Sequence, residues 1–212
     1  SITASFKGKD YTPQAMAKFQ LEPDRQTREQ AWRALADARQ QKSAGLDELY
    51  EKQVRLREQI AANAGLPNFR DYQFKAFQRF DYTPADCEAF AQAVETVAMP
   101  AVKRSIARRA RDMKLKQLRP WDVAVDPKGN PPLKPFHDVE QLKAGCSAIF
   151  HQVDAQLGAQ FDQMRELGLL DLDNRKGKAP GGYQSTLNEA RLPFIFMNAV
   201  GIDGDLRTLL HE

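Results

Sequence analysis

The chain has 212 residues, of which 42% are hydrophobic and 28% are charged, so it is long enough to bury the core of one or two domains. No stretch approaches the roughly 18 consecutive apolar residues of a membrane-spanning helix, and we expect no membrane partner. The formal net charge of +3 is too small to indicate nucleic acid as a partner. Two cysteines without a CxxC pattern exclude a disulfide framework and favour a reducing, cytoplasmic location.

The first part of the chain carries the 3.6-residue period of amphipathic helices. Asp24 is a preferred N-cap residue, and the helix that follows it is expected to end at a break over residues 43–45. A second helix, ending near Gly65, has apolar residues on one face: Leu46, Leu49, Tyr50 and Val54. The short gap between the two helices predicts antiparallel neighbours.

Two further helices are predicted to begin at Asn68 and Thr83, and Pro84 suits the first position of the second one. This helix has an apolar side made of Phe90, Ala93, Val94, Val97 and Ala98, and its aromatic residue is assigned to the core by default. Pro100 lacks the backbone N–H of a helical residue, so we expect it to kink or interrupt the helix.

Five prolines between residues 118 and 136 predict an ordered, irregular segment, which Trp121, Val123 and Val125 would pack down. Helices are predicted to resume at Asp138 and Asp154. A glycine-rich loop at residues 176–182 then precedes a predicted β-hairpin and a last helix with Asp203 as its cap. The predicted fold class is therefore mainly α, with a small antiparallel hairpin leading into the last helix.

Both ends of the sequence are unusual. The first residues lack an initiator Met and the features of a signal or transit peptide, so we expect the chain to begin within a longer protein. The last helix stops at His211 and Glu212 without a C-terminal cap signal, so we expect that it continues beyond them.

One stretch is strongly basic. Residues 103–119 carry a local charge of +7, and the basic residues are Lys103, Arg104, Arg108, Arg109, Arg111, Lys114, Lys116 and Arg119. No aromatic residue lies between them to stack on bases, so a solvated helix face is favoured over nucleic-acid binding.

The double glycine at 181 and 182 allows two interpretations. A phosphate-binding loop is excluded because the spacing is wrong and Ala179 replaces the required Ser or Thr. Gly181 and Gly182 could let a second backbone approach, as at an edge strand that binds a peptide, or could simply form a tight turn. The residues alone leave both open.

Few other side chains indicate chemistry. His137 and His151 have no second ligand at metal-binding spacing, and Cys87 and Cys146 are interpreted as small core residues. The pair His211-Glu212 matches the first two positions of HExxH, a helical motif in which the His binds zinc and the Glu is the general base. Two residues alone have almost no specificity.

Six motifs, taken together and in this order, are far more specific. They are NAG at 63–65 with NFRDY at 68–72, RFDY at 79–82, RPWD at 119–122, RKGKAPGGY at 175–183 and LPFIFMN at 192–198. In this set the chain closely resembles the thimet-type zinc metallopeptidases of the oligoendopeptidase F group, over nearly its whole length.

The resemblance implies a helical, gluzincin-like oligopeptidase that hydrolyses short unstructured peptides with one Zn²⁺. It implies His211 as a zinc ligand and Glu212 as the general base that accepts a proton from the attacking water and returns it to the leaving amine. Residues 181–184, namely Gly181, Gly182, Tyr183 and Gln184, occupy the position of the edge strand that pairs with the substrate backbone. No nucleic-acid partner is implied.

The chain departs from the family because the second His, the downstream Glu ligand and the oxyanion-stabilising residues are not among the 212. We therefore expect a helical lobe at 1–175, the start of a zinc subdomain at 176–212, and no activity of this fragment by itself. Two alternatives remain: a noncatalytic helical scaffold, and a nucleic-acid-binding module that uses residues 103–119.

Overall fold

A computed structural model describes residues 2–212 and confirms a mainly helical fold with two small sheets. The helices are α1 (Pro13–Ala17), α2 (Arg25–Gln40), α3 (Ser43–Asn63), α4 (Phe69–Ala76), α5 (Pro84–Ala93), α6 (Met99–Asp112), α7 (Val139–Val153), α8 (Ala155–Glu166) and α9 (Asp203–His211). The strands are β1 (Ala4–Phe6), β2 (Lys9–Tyr11), β3 (Leu170–Asp173), β4 (Tyr183–Leu187) and β5 (Leu192–Ala199). Among residues 2–212, no helix has the length and apolar character needed to cross a bilayer.

The chain divides into two compact units. Unit 1 contains the residues up to Ala38 together with Arg119–Glu212, and unit 2 contains Arg39–Leu118. The division predicted from sequence, between residues 175 and 176, separates functional regions within unit 1 and stays a prediction.

Side-chain caps start most helices where the sequence predicts them. The caps accept backbone N–H groups three residues ahead, as at Asp24, Asn68, Thr83, Asp138 and Asp154. Two predictions are wrong. Residues 43–45 form the first turn of α3 instead of a break, and Asp203 is the first residue of the last helix, whose cap position is held by Ile202 without a side-chain hydrogen bond. Asp205 lies in the first turn as predicted, and its Oδ2 accepts N–H groups from residues 200–202.

A π-helical turn, Val94–Ala98, joins α5 to α6. The N–H of Met99 donates to the carbonyl of Val94, five residues back. Pro100 has no N–H for the carbonyl of residue 96 and its ring would clash there, which accounts for the interruption that the sequence predicts. The Thr96 hydroxyl donates to the carbonyl of Gln92, four residues back, a bond that favours bending of a helix.

Among the described residues, unit 1 contains the β1-β2 pair and a larger sheet of three strands in the order β3-β5-β4. The predicted hairpin is confirmed because β4 pairs antiparallel with β5, from Tyr183 opposite Phe196 to Leu187 opposite Leu192. Strand β3 pairs parallel with β5 on its other side and was not predicted. The short hairpin of β1 and β2 was not predicted either.

The main core of unit 1 lies between the sheet and α7, α8 and α9. Its buried residues are Phe136, Leu142, Cys146, Phe161, Met164, Leu170, Leu172, Ile195, Met197, Ala199 and Leu209. A smaller cluster holds the N-terminal hairpin against α1 and α2 through Ala4, Phe6, Met16 and Ala31. Strand β5 contributes three buried residues to the main core, and these residues hold one face of the sheet against the helices.

A buried ion network ties the proline-rich segment to α2. Asp122 is fully buried and accepts two hydrogen bonds of 2.9 Å from Arg25 and one of 3.2 Å from the buried Arg28. Burial raises the pKa of Asp122, but the hydrogen bonds from Arg25, from the N–H of Arg119 and from Arg28 outweigh burial and hold this pKa below its usual value. Trp121 is buried beside Asp122 as predicted, whereas Val123 is exposed because residues 120–122 form a 3₁₀ turn.

We predict that Asp122→Asn lowers the free energy of unfolding by about 3 kcal/mol or more, because Arg28 keeps its charge in a buried position without a charged partner. Urea denaturation at neutral pH measures the change. Glu29→Gln is the matched control, since it breaks an exposed pair with Arg33 and is expected to cost less than about 1 kcal/mol. Equal losses for the two variants would contradict the role given to the buried network.

Candidate active site

His211 and Glu212 stand at the end of α9. The helix is fixed on the core by the buried Leu209, and Asp205 in its first turn holds the residues before it. The imidazole of His211 is exposed, and Glu212 is partly buried, with its N–H donating to the carbonyl of Thr208. An exposed imidazole at a fixed helix end is accessible to a ligand.

The described residues offer little for a metal ion to bind. Imidazole nitrogen is a common zinc ligand, so His211 has a suitable donor atom. Within residues 2–212, however, no group of three or more His, Cys, Asp or Glu side chains is placed to hold a metal ion. A catalytic zinc site needs about three protein ligands, so the described residues do not form one by themselves.

Strand β4 is the exposed edge of its sheet. All five residues, Tyr183–Leu187, are exposed, and the strand pairs with β5 only. Tyr183 stacks on Phe196 of the neighbouring strand, with ring centroids 5.0 Å apart, so part of its role is to pack β4 on β5.

The register of the hairpin identifies which backbone groups point outwards. Ile195 donates its N–H to the carbonyl of Leu169, away from β4. Gln184 lies opposite Ile195, so the backbone groups of Gln184 point to the open edge, and those of Thr186 do so as well because ladder bonds alternate. The proline opposite Thr186, Pro193, fits this assignment because it has no N–H to donate. Gln184 and Thr186 therefore offer N–H and C=O groups to another extended chain.

The two glycines before β4 differ in what the chain itself requires of them. Gly181 has a φ of +98°, which L-residues rarely adopt. A Cβ on Gly182 would lie 3.4 Å from atoms of Met197, Phe196 and Thr208. The left-handed backbone therefore explains Gly181, whereas contacts of 3.4 Å are ordinary for a side-chain carbon, so nothing among the described residues requires glycine at 182.

This packing places the start of β4 beside α9. Thr208, which lies near Gly182, is four residues before Glu212, and residues four apart share a helix face. The start of the edge strand therefore lies against α9 one helical turn before Glu212, and His211, next to Glu212 in the chain, is exposed.

A buried lysine holds the loop before β4, and sequence reasoning missed its role. The side chain of Lys178 is 1% exposed. Its Nζ donates to the carbonyls of Asp171, Asp173 and Met197 at 3.0, 2.8 and 2.6 Å, and to Oδ1 of Asp171 at 3.0 Å. It also lies 4.5 Å from the centre of the Phe196 ring. One cation therefore joins β3, β5 and the loop.

A chain of amide hydrogen bonds fixes the same loop from the other side. The buried Asn198 donates to the carbonyls of Ala179 and Gly181 at 2.9 Å. Its own oxygen accepts from Asn174, which in turn accepts from the hydroxyl of Thr12. Together with Lys178, this network determines where β4 begins.

The remaining candidates have other roles. His151 hydrogen-bonds Asp162 and packs closely on Gly158, and hydrogen bonds from Ser147, His151 and Arg165 lower the pKa of Asp162 to about 2. Cys146 is buried as predicted, and burial raises the pKa of its thiol to about 11. Cys87 is exposed, so its assignment to the core is wrong.

We predict that Asp171→Asn destabilises the chain by about 1–2 kcal/mol at pH 7, because hydrogen bonds from Arg175 and Lys178 lower the pKa of Asp171 to about 2. The stabilisation is complete above the unfolded-state pKa near 4 and is lost as the pH falls towards 2. Urea denaturation of both proteins between pH 7 and pH 2 measures the difference.

Asp203→Asn is the control, because it breaks an exposed pair with Arg207. A destabilisation by Asp171→Asn that persists unchanged at pH 2 would show that the carboxylate charge is not its cause.

Comparisons with known proteins agree with this architecture. A structure provisionally named oligoendopeptidase F from Bacillus anthracis str. Ames is 28% identical, with a TM-score of 0.90 over 100% of this chain and 39% of its own. Another structure provisionally named oligoendopeptidase F is 30% identical, with a TM-score of 0.91 over 100% of this chain and 37% of its own. PZ peptidase A, solved with an inhibitor, is 30% identical, with a TM-score of 0.89 over 98% of this chain and 37% of its own.

The chain thus spans less than two fifths of the length of these structures. No curated protein matches it. The family model of peptidase family M3 matches residues 19–212, which include both strands of the hairpin and all of α9. The chain belongs to peptidase family M3 and is similar to oligoendopeptidase F.

Proposed function

We propose that residues 1–212 contribute part of the catalytic centre of a zinc-dependent oligopeptidase that hydrolyses short unstructured peptides. Membership of peptidase family M3 supports a peptidase, as does the similarity to oligoendopeptidase F. Because the chain spans 37–39% of the matched structures, the activity is proposed for the complete polypeptide that contains these residues. The remaining zinc ligands would then come from residues outside 1–212.

One observation carries the proposal: Gly182, just before the exposed edge strand, lies close to Thr208, one helical turn before Glu212. In β-augmentation, an extended peptide adds to such an edge through main-chain hydrogen bonds. The outward N–H and C=O groups of Gln184 and Thr186 would bind the peptide backbone irrespective of its side chains. The peptide would therefore need to be extended, which excludes folded proteins from this strand.

The proposed chemistry assigns one role to each element. Zinc, when bound, would supply Lewis acidity that lowers the pKa of water and polarises a carbonyl, and His211 would be one of its ligands. Glu212 would accept the proton of the attacking water and pass it to the leaving amine. The edge strand would hold the scissile bond at a fixed distance from this carboxylate.

The two alternative functions have less support. The basic residues 103–119 lie mainly in unit 2, whereas His211, Glu212 and β4 lie in unit 1. None of the matched structures is named for nucleic-acid binding. We also propose that the 212-residue chain alone is inactive, since it offers a single zinc ligand.

We predict that Glu212→Gln in the complete polypeptide lowers kcat on a fluorogenic peptide by about 10²- to 10⁴-fold, because the amide cannot accept the proton. The zinc content, measured by elemental analysis, is expected to stay near one ion per chain. Glu189→Gln, in the exposed turn between β4 and β5, is the control and should leave kcat unchanged. A Glu212→Gln enzyme with full kcat, or active wild-type enzyme without zinc, would refute the mechanism.

We predict that Thr186→Pro raises KM for the peptide about fivefold, because it removes one outward N–H donor. The hairpin itself is expected to persist, since edge strands accept proline where the N–H faces away from the sheet. Thr186→Val is the matched control, because it also loses the hydroxyl that Gln184 contacts but keeps the N–H. Similar KM values for the two variants would remove β4 as the substrate strand.

A further inference from the structure

Unit 2 buries very little of its own apolar surface. Ala61 is the one buried residue among Arg39–Leu118, all of which the structure describes. The large apolar residues of this unit that are exposed are Leu46, Leu49, Tyr50, Leu56, Ile60, Phe77, Phe80, Tyr82, Phe90, Val94, Val97, Met99, Val102 and Ile106. Apolar surface of this extent on a folded protein usually marks an interface.

Part of this surface runs along α5 and α6 as four residues that helix geometry places within roughly 60° of one another, which we call the outer stripe: Phe90, Val94, Val102 and Ile106. Phe90 and Val94 are 72% and 39% exposed, although the sequence pattern assigns them to a helix side that faces a core. The pattern is therefore typical of a buried helix, while the surroundings within residues 2–212 leave the stripe uncovered.

The π turn aligns the two halves of the outer stripe. Val94 and Ile106 are twelve residues apart, and an uninterrupted α-helix would separate their directions by roughly 120°. The π turn takes up one extra residue, which reduces the separation to roughly 20°. Without this turn the apolar residues of α5 and α6 would face different directions. With the turn, they lie on the same side of the helix.

The opposite side of α6 is basic. Lys103, Arg104, Arg108 and Arg111 lie roughly 100° or more around the helix from Val102. These charges are suited to water, whereas the outer stripe is not. The helix thus has one side for solvent and one side for an apolar partner.

We propose that the outer stripe packs against polypeptide of the same protein that lies outside residues 1–212, through an apolar face of that polypeptide. The matched structures supply the reason: they follow this chain with TM-scores of 0.89–0.91, yet it accounts for only 37–39% of their length. More than half of each relative is therefore available to cover surfaces that these residues leave open. Intramolecular docking also needs no second molecule and loses no translational entropy.

Cysteine labelling of the complete translation product that contains residues 1–212 tests the proposal. In a Cys87→Ser background, Val102→Cys places a thiol on the outer stripe and Arg104→Cys places one on the basic side of the same helix. We expect the thiol at 102 to react with a maleimide at least about tenfold more slowly than the thiol at 104, since it reacts only when the interface opens. Mass spectrometry of the labelled peptides gives both rates, and denaturant should equalise them.

Each other outcome overturns the proposal in favour of a different occupant. Equal, fast labelling at 102 and 104 means that nothing covers the stripe. Protection at 102 that disappears on dilution, with a dimer seen by light scattering, assigns the stripe to a second copy. Protection that requires anionic vesicles assigns it to a membrane surface.

Discussion

The position of the edge strand depends on a single buried cation. Lys178 has almost no contact with solvent, and its ammonium group would be costly to bury without partners. Four oxygen acceptors from β3, β5 and the side chain of Asp171 remove that cost, but only if these strands keep their present spacing. The loop therefore cannot shift without leaving the cation unsatisfied, and the start of β4 is fixed together with it. The positive φ of Gly181 and the hydrogen bond from the Asn198 side chain to the carbonyl of Gly181 restrain the loop further.

The two units are stabilised by different means. Unit 1 combines a hydrophobic core with the buried network of Asp122, Arg25 and Arg28, so its elements are held by contacts within the described chain. Unit 2 consists of helices with well-formed caps, such as Thr83, but with little core of its own. Its helices are specified locally, whereas their stability depends on burial that these residues do not provide.

Sequence reasoning worked best for features that depend on a few neighbouring residues. The caps at Asp24, Asn68 and Thr83 were predictable because each one needs only its own side chain and the next turn. The cap of α9 was misplaced by one residue because Asp203 is of a preferred N-cap type, whereas the helix begins at Asp203, and Asp205, inside it, holds residues 200–202. Strand β3 was missed because it is only four residues long and is defined by its pairing with a distant strand.

Sequence reasoning had the same limit at the candidate active site. The motifs around residues 175–183 and 192–198 were sufficient to predict the hairpin and the family. They could not reveal the role of Lys178, because its acceptors lie up to 19 residues away and are mostly backbone carbonyls, which have no sequence signature. Phe90 and Cys87 were assigned to the core because periodicity shows that a helix face is apolar and says nothing about which chain covers it.

The π turn between α5 and α6 has a consequence for how this helix can evolve. Because the turn accommodates one extra residue, losing a single codon there would leave a regular α-helix in which Val102 and Ile106 keep their alignment with Phe90. Losing a codon elsewhere between Phe90 and Val102, with the turn kept, would instead rotate Val102 and Ile106 by roughly 100° relative to Phe90. We therefore expect a one-residue deletion to preserve this apolar surface at the turn and to break it elsewhere in the helix.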